Sequence, residues 1–459
     1  MTRLSKAAFF LICLTIIVTT MLYGTVHQPT IALFYLFVGV LLILWAADNW
    51  MSGTLRYSRS LFQVPLFAFA VYAFVQIIPF GSFTDPTGIS NIPRTLSIEP
   101  FATQMTAIHL IALGMFLAVA LVYLDSAERL RRLVTVLVVF GFLYAFFAIL
   151  QSVLSPTRIY GIYGNGNLTP FGSFVNRHNF AAYMEMLVSI PLGLLFVGAV
   201  KPDKRLLYII AVVLMTSSLF LSSSRGGLIA LLAEIIFLVI LTTGEKGNRK
   251  IFLKIVLSLL LVAAAVGGAI FVGGDTSLTR IAETASSQDV TSSRMHIWNV
   301  TLKIITDNLP FGAGIGAYAQ AYTQHDTASG LDLVEQAHND YLQIIADAGI
   351  VGVVIGAFFL FWLFKTGFRN SRRQNMFRRG IGVGAFAGCY AVLVHSLFDF
   401  VLHTTAISIL FLTLLAMLEA AGRKFDDDIT DFDADRSKHR RRASVTPIEG
   451  RSRSRRGEV

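Results

Sequence analysis

Apolar residues run through this chain in long, nearly unbroken blocks, not in the two-residue alternation of a half-buried strand or the narrow stripe of a surface helix. A helix needs about 20 mostly apolar residues to cross the hydrocarbon of a bilayer. Twelve blocks approach or reach that length: 7–26, 29–47, 63–80, 104–123, 133–153, 179–200, 206–221, 227–243, 252–272, 350–366, 381–398 and 404–421. The pattern predicts an all-α polytopic membrane protein with about twelve transmembrane helices. No small-residue cleavage pattern follows the first block and a second block follows at once, so it reads as an uncleaved helix.

Composition agrees and removes alternatives. Hydrophobic residues make up 54% and charged residues 14%, against roughly a quarter charged in a soluble domain. An ordinary globular enzyme, a disordered chain and a fibrous one are excluded. Cys13 and Cys389 both sit inside apolar blocks, so no disulfide framework is on offer.

Charge sets the expected orientation. With the N-terminus in the cytoplasm, 31 of the 38 Lys and Arg fall on the cytoplasmic side. The outer side keeps Arg94, Arg158, Arg177, Arg225, Arg280, Arg294 and Lys303. The positive-inside rule therefore places both termini in the cytoplasm. Residues 1–421 read as one membrane domain. Residues 422–459, acidic from Asp426 to Asp435 and basic from Arg440 to Arg456, read as a disordered charged tail that leans on membrane lipids. No aromatic interleaves the arginines after Phe432, so no nucleic-acid partner is expected.

Three outer connections are long: about 81–103, about 154–178 and about 273–349. The largest reads as a partly helical loop before helix 10. Ser292 or Ser293 can cap a helix with Met295, Trp298, Leu302 and Ile305 on one face. The 309–316 run, rich in glycine, breaks it. Asp332 with Glu335 resembles a capping box opening a second helix that carries His338, Tyr341, Leu342 and Ile345 and leads into the tenth span.

Each cation on so poorly charged a face has to be explained. Arg225 lies in Ser222-Ser223-Ser224-Arg225-Gly226-Gly227, the shortest turn of the chain. Its planar fork suits phosphate oxygens, and Gly226 and Gly227 let a ligand approach the backbone. An arginine that snorkels to seat a helix end would look the same. Arg294, with Trp298 one turn on, and Arg177, in Asn176-Arg177-His178-Asn179, are open to both readings. His338 has the side chain best suited to moving a proton near neutral pH. The Gly312/Gly314/Gly316 run lacks the Lys and the strand–helix setting of a phosphate loop and reads as a turn. No clustered ligands for a metal are seen. Glu185 and Glu234 fall inside spans, where a carboxylate is costly, and the sequence assigns neither a role.

The motifs occur in one order. Ser-x-Ser-Arg-Gly-Gly at 222–227 is followed by Ser293-Arg294 with Trp298, Pro310-Phe311-Gly312-x-Gly314-x-Gly316, His338-Asn339-Asp340-Tyr341-Leu342-Gln343 and Gly349-Ile350-Val351-Gly352. Together they resemble the O-antigen ligase/O-antigen polymerase superfamily of bacterial envelope glycosyltransferases, with the signature portion at about 215–365. The stretch from Asn176 to Tyr183 and the run His395-Ser396-Leu397-Phe398-Asp399 also resemble family motifs.

The resemblance implies a glycosyltransferase of the bacterial inner membrane, active on the periplasmic side, that moves a glycan from an undecaprenyl-pyrophosphate carrier to an acceptor hydroxyl. His338, Arg225 and Arg294 match its functional positions. Arg177, Ser224, Gly226, Asn339 and Tyr341 are further candidates for holding pyrophosphate. No cofactor and no metal are implied. The acceptor is lipid A core for a ligase, a growing carrier-linked glycan for a polymerase, or a protein for an O-glycosylating relative. A transporter or flippase is the alternative of another class, but its matched halves are not seen.

Overall fold

The computed structural model describes residues 2–84, 88–164, 169–243, 292–326 and 334–423, with position 263 alone between them. The expected ninth span at 252–272, the segments 273–291 and 327–333, and the tail from 424 lie outside the described residues. Described helices are α1 (Arg3–Met21), α2 (Gln28–Ser52), α3 (Val64–Gln76), α4 (Pro100–Tyr123), α5 (Ala127–Leu154), α6 (Arg177–Val197), α7 (Arg205–Leu221), α8 (Arg225–Thr242), α9 (Ser292–Asn308), α10 (Tyr318–His325), α11 (Asp340–Ser371), α12 (Met376–His395) and α13 (Thr405–Gly422). A short antiparallel pair, β1 (Gly81–Phe83) and β2 (Ile92–Arg94), joins α3 to α4 with Gly81 opposite Arg94.

Among the described residues ten helices are long and apolar enough to cross a membrane: α1, α2, α4 to α8, and α11 to α13. The chain is thus an all-α multi-pass membrane protein. The third expected span is shorter than its apolar block, because the helix stops at Gln76. The Gln76 amide donates to the carbonyls of Phe311 and Asp347, each at 3.0 Å, and its oxygen accepts from Ile315 N at 3.0 Å. The glycine run is therefore a turn stitched to α3 and α11.

The centre of the bundle is α6, whose residues are almost all buried, packed most extensively on α12. Small residues allow this approach. A Cβ added to Gly193 would stand 2.5 Å from the Gly384 backbone, and one on Gly388 would stand 2.5 Å from Ser189 Oγ. In lipid, helix association relies on such close van der Waals contact. The same contact brings Glu185 and His395 together.

The large loop refines one expectation and corrects another. First, α9 buries Val300, Thr301 and Ile304, while on the expected apolar face Trp298 and Ile305 are half-buried and Met295 and Leu302 are exposed. Its orientation is fixed by Trp298 Nε1 donating to Ala337 O at 3.1 Å and by the 2.6 Å bond between Thr301 and the Tyr318 hydroxyl. Second, the following helix starts at Asp340, not near Glu335. Asn339 is its cap, accepting from Tyr341 N at 3.0 Å and Leu342 N at 3.1 Å, so His338 stands before the helix.

α11 runs on into the tenth expected span but breaks at Gly349 (φ 56°, ψ −141°). There Ile350 N donates to Pro310 O at 2.9 Å, and a Cβ on residue 349 would lie 2.1 Å from that carbonyl oxygen. Gly349→Ala therefore meets both a clash and backbone strain, the strain alone being worth on the order of 1–3 kcal/mol. The expected outcome is a clear drop in thermal unfolding midpoint in detergent. An unchanged midpoint would show that the break is not required.

Candidate functional site

Five segments meet at one end of the bundle, and polar groups position each. Asn176 caps α6 through His178 N (2.9 Å), and Ser224 caps α8 through Gly227 N (3.2 Å). Ser and Asn are preferred at these positions because their oxygens satisfy amides that the first turn leaves unpaired. The two caps are joined, since His178 Nδ1 lies 2.9 Å from Ser224 Oγ. Arg177 and Arg225, both half-buried, thus open neighbouring helices.

The third segment is the start of α9, with Arg294. The fourth is 337–341, where His338 has a left-handed backbone (φ 50°). This is an uncommon conformation for a residue with a side chain, and such residues gather at functional sites. The fifth is the connector 396–404 between α12 and α13. It anchors the fourth: Asp340 N donates to Ser396 O at 3.0 Å, and Ser396 Oγ donates to Asp340 Oδ2 at 2.7 Å. Asn339 Nδ2 donates to Leu397 O at 3.1 Å, and the Tyr341 hydroxyl to Leu393 O at 2.8 Å. Asn339 and Tyr341 therefore hold the loop in place through contacts with the backbone.

Asp399 is the hub. Its Oδ1 lies 3.1 Å from His338 Nδ1 and its Oδ2 lies 3.5 Å from an Arg294 guanidinium nitrogen. Arg294 also donates to the Phe398 carbonyl. The carboxylate is 3% exposed. Burial alone would push its acid up, but the hydrogen bond from His338 and the charges of His178, His338 and Arg294 hold it at about 2. It is ionised at neutral pH. Because Asp399 occupies Nδ1 of His338, Nε2 is the ring nitrogen able to work on a substrate, and the ring packs edge-on against Phe400 at 4.8 Å between centroids.

Beneath the Arg225 turn lies a buried pair. His395 Nδ1 is 3.2 Å from both oxygens of Glu185. A Cβ on Gly226 would come within 2.9 Å of the His395 ring, so the 224–227 turn rests directly on that histidine. Glu185, unassigned by sequence, thus supports this turn through His395. Glu234 is fully buried on α8, and neither of its carboxyl oxygens has a hydrogen-bond partner among the described residues.

The structure brings Arg177, Ser224, Arg225, Gly226, Arg294, His338, Asn339 and Tyr341 to one end of the bundle. Sequence reasoning missed Asp399, His178 and His395 as members. The 395–399 run was the available signal for two of them. Among the described residues no three His, Cys, Asp or Glu side chains gather to hold a metal ion.

Residues 210–359 match the family model described as O-antigen ligase. That stretch holds the 222–227 turn, Arg294 and the 338–341 segment, whereas Arg177 and Asp399 flank it. No curated protein matches the chain.

The depressed acidity of Asp399 has a consequence for stability. A carboxyl with an ordinary value of 3.8 that folding lowers to about 2 stabilises the fold fully above the higher value and loses that contribution as pH falls through the lower one. Asp399→Asn is therefore expected to lower the unfolding midpoint at pH 6 and to match wild type more closely near pH 2. An equal deficit at both pH values would contradict this assignment.

Proposed function

We propose, from the match of residues 210–359 to the O-antigen ligase family model, that this membrane protein transfers a glycan from a polyprenyl-pyrophosphate carrier to an acceptor hydroxyl at the outer face of the bacterial inner membrane. The observation that carries the reading is the single buried carboxylate, Asp399, that joins His338 to Arg294.

The reaction has two demands, and the two sides of Asp399 suit them. A pyrophosphate leaving group is anionic and gains charge at the bridging oxygen as the sugar departs. Arg294 and Arg225, with Arg177 beside them, provide preorganised cations at a poorly hydrated membrane edge. The acceptor hydroxyl must lose a proton as its oxygen attacks the anomeric carbon. His338 takes it on Nε2, with Asp399 fixing the ring and its tautomer. The new C–O bond forms as the bond to the carrier oxygen breaks, and the carrier pyrophosphate leaves with the electron pair. Direct displacement of this kind inverts the anomeric centre.

The acceptor that goes with an O-antigen ligase domain is lipid A core. A polymerase joining carrier-linked repeats would use the same reacting groups. A transporter fits less well, because Arg177, Arg225, Arg294, His338 and Asp399 gather at one end of the bundle, with Glu185 and Glu234 as buried acidic residues inside the spans.

Kinetics separate the two sides of Asp399. Arg225→Ala and Arg294→Ala are expected to weaken carrier binding and to slow transfer by on the order of 100- to 1,000-fold, the usual loss for one charge-stabilising donor. His338→Ala is expected to keep carrier binding and lose single-turnover transfer. His325→Ala, in the same loop but bonded to Asp307 at 3.0 Å, serves as the near-wild-type control. Transfer by His338→Ala at a rate close to wild type would overturn the assignment.

Orientation is tested independently. The concentration of Lys and Arg on the opposite end motivates a reporter that works only outside the cytoplasm: active when fused after residue 326, silent after residue 372. The reverse result would remove the outer-face site.

A further inference from the structure

Next to the reaction centre, two loops hold a cluster of aromatic rings that the chemistry above does not use. Tyr23 and His27 come from the α1–α2 connection, and Tyr160 and Tyr163 from the connection before α6. Ring centroids lie 4.9 Å apart for Tyr23–Tyr163, 5.3 Å for His27–Tyr163, 5.6 Å for Tyr23–His27 and 5.8 Å for Tyr23–Tyr160. Phe147 backs Tyr160 at 5.6 Å.

The cluster is held against local backbone preference. Tyr23, Gly24 and Thr25 all have positive φ (57°, 68° and 57°), as do Tyr160 and Gly161 (55° and 75°). A β-branched residue such as Thr25 is a genuine outlier there. Strain persists only where the surroundings impose it, and it concentrates at ligand clamps. Here the imposition is visible. The Tyr160 hydroxyl donates to the Met21 carbonyl, linking the loops. Gly24 is wedged so tightly that a Cβ would lie 2.6 Å from the Phe174 ring and 3.4 Å from Thr404. Thr404 ends the connector whose His403 bonds Asp340 at 3.1 Å, so the cluster and the reaction centre share a wall. Of the four rings Tyr160 is 37% exposed, and Tyr23, His27 and Tyr163 are half-buried.

The connection before α6 carries two of the rings and Arg177, with residues 165–168 between them outside the described residues. It carries Tyr160 and Tyr163 at one end and Asn176-Arg177-His178 at the other. Phe171 and Phe174 pair within it, and Arg177 N donates to Thr169 O at 2.9 Å. Arg177 and the two tyrosines thus stand at the two ends of one connection, and a donor long enough to span it would meet both. Amphipathic aromatic rings match a sugar, with an apolar CH face and a hydroxyl rim, better than they match phosphate.

We propose that Tyr23, His27, Tyr160 and Tyr163 form a glycan platform that stacks on sugar residues of the carrier-linked donor beyond the one being transferred. This rests on the transferase reading above. It adds a binding site for the glycan that is separate from the site for pyrophosphate.

The test uses the full-length chain in phospholipid nanodiscs and two probes: bare undecaprenyl pyrophosphate, and the carrier-linked glycan extracted from the cells that make the protein. Wild type is expected to bind the glycan-bearing carrier on the order of tenfold more tightly than the bare one, a preference worth about 1.4 kcal/mol. Tyr163→Ala should lose most of that preference while binding bare carrier as before, and Tyr163→Phe, which keeps the ring, should retain it. Three outcomes overturn the platform: a preference that survives Tyr163→Ala, as rings serving only an interfacial belt would give; equal weakening for both probes, as a purely structural role would give; or no preference in wild type. The transferase reading is judged separately, by whether wild type transfers glycan at all.

Discussion

An ionised carboxylate nearly sealed from water is expensive unless charge and hydrogen bonds reach it from several sides. Asp399 meets that condition only because distant parts of the chain converge on it. Arg294 arrives from the loop helix α9, His338 from the segment before α11, and the backbone amide of Phe400 from its own connector at 3.0 Å. Removing any one of these leaves the buried charge of Asp399 with fewer partners to compensate it. The large loop cannot simply drift away from the bundle, because Arg294 and Trp298 tie it to the connector and to residue 337.

A second constraint comes from lipid. Helices gain little by hiding apolar faces from an apolar solvent, so close packing and polar pairs must hold them. The contact between α6 and α12 shows both. Gly193, Gly384 and Gly388 let the backbones touch, and Glu185 with His395 pairs across the interface just below. The turn carrying Arg225 then rests on His395 through Gly226. A packing requirement of the bundle thus becomes a positioning device for the site. The same principle, strained backbone held by its surroundings, operates at His338 and in the tyrosine loops.

Much of this architecture could be read from the sequence, because a spanning helix is a local property of about 20 residues. Ten of the twelve blocks appear as long helices, and the third shortened where Gln76 turned to bond the glycine run. The motifs at Ser222–Gly227, Arg294 and His338–Tyr341 come together at one end of the bundle. What could not be read was set by partners far along the chain. Apolar spacing put Met295, Trp298, Leu302 and Ile305 on one face of α9, but which edge of it is covered depends on bonds to Ala337 and Tyr318, and Met295 and Leu302 are left exposed. Glu335 suggested a helix start that Asn339 supplies instead, leaving His338 outside the helix. Asp399 lay in a run that resembled a family motif, but nothing local shows that Arg294 and His338 converge on it. Glu185 had no sequence neighbour to explain it, because His395 lies on another helix.

The central claim is that Asp399 acts through His338, so a double-mutant cycle tests it most directly. Single-turnover glycan transfer would be measured for wild type, Asp399→Asn, His338→Ala and the pair, each checked for membrane insertion. Groups that work as one unit are non-additive. The account predicts that Asp399→Asn slows transfer clearly less in the His338→Ala background than in wild type, the remaining loss being its hold on Arg294. Losses that multiply would mean that the two residues serve the reaction independently, and would contradict the account.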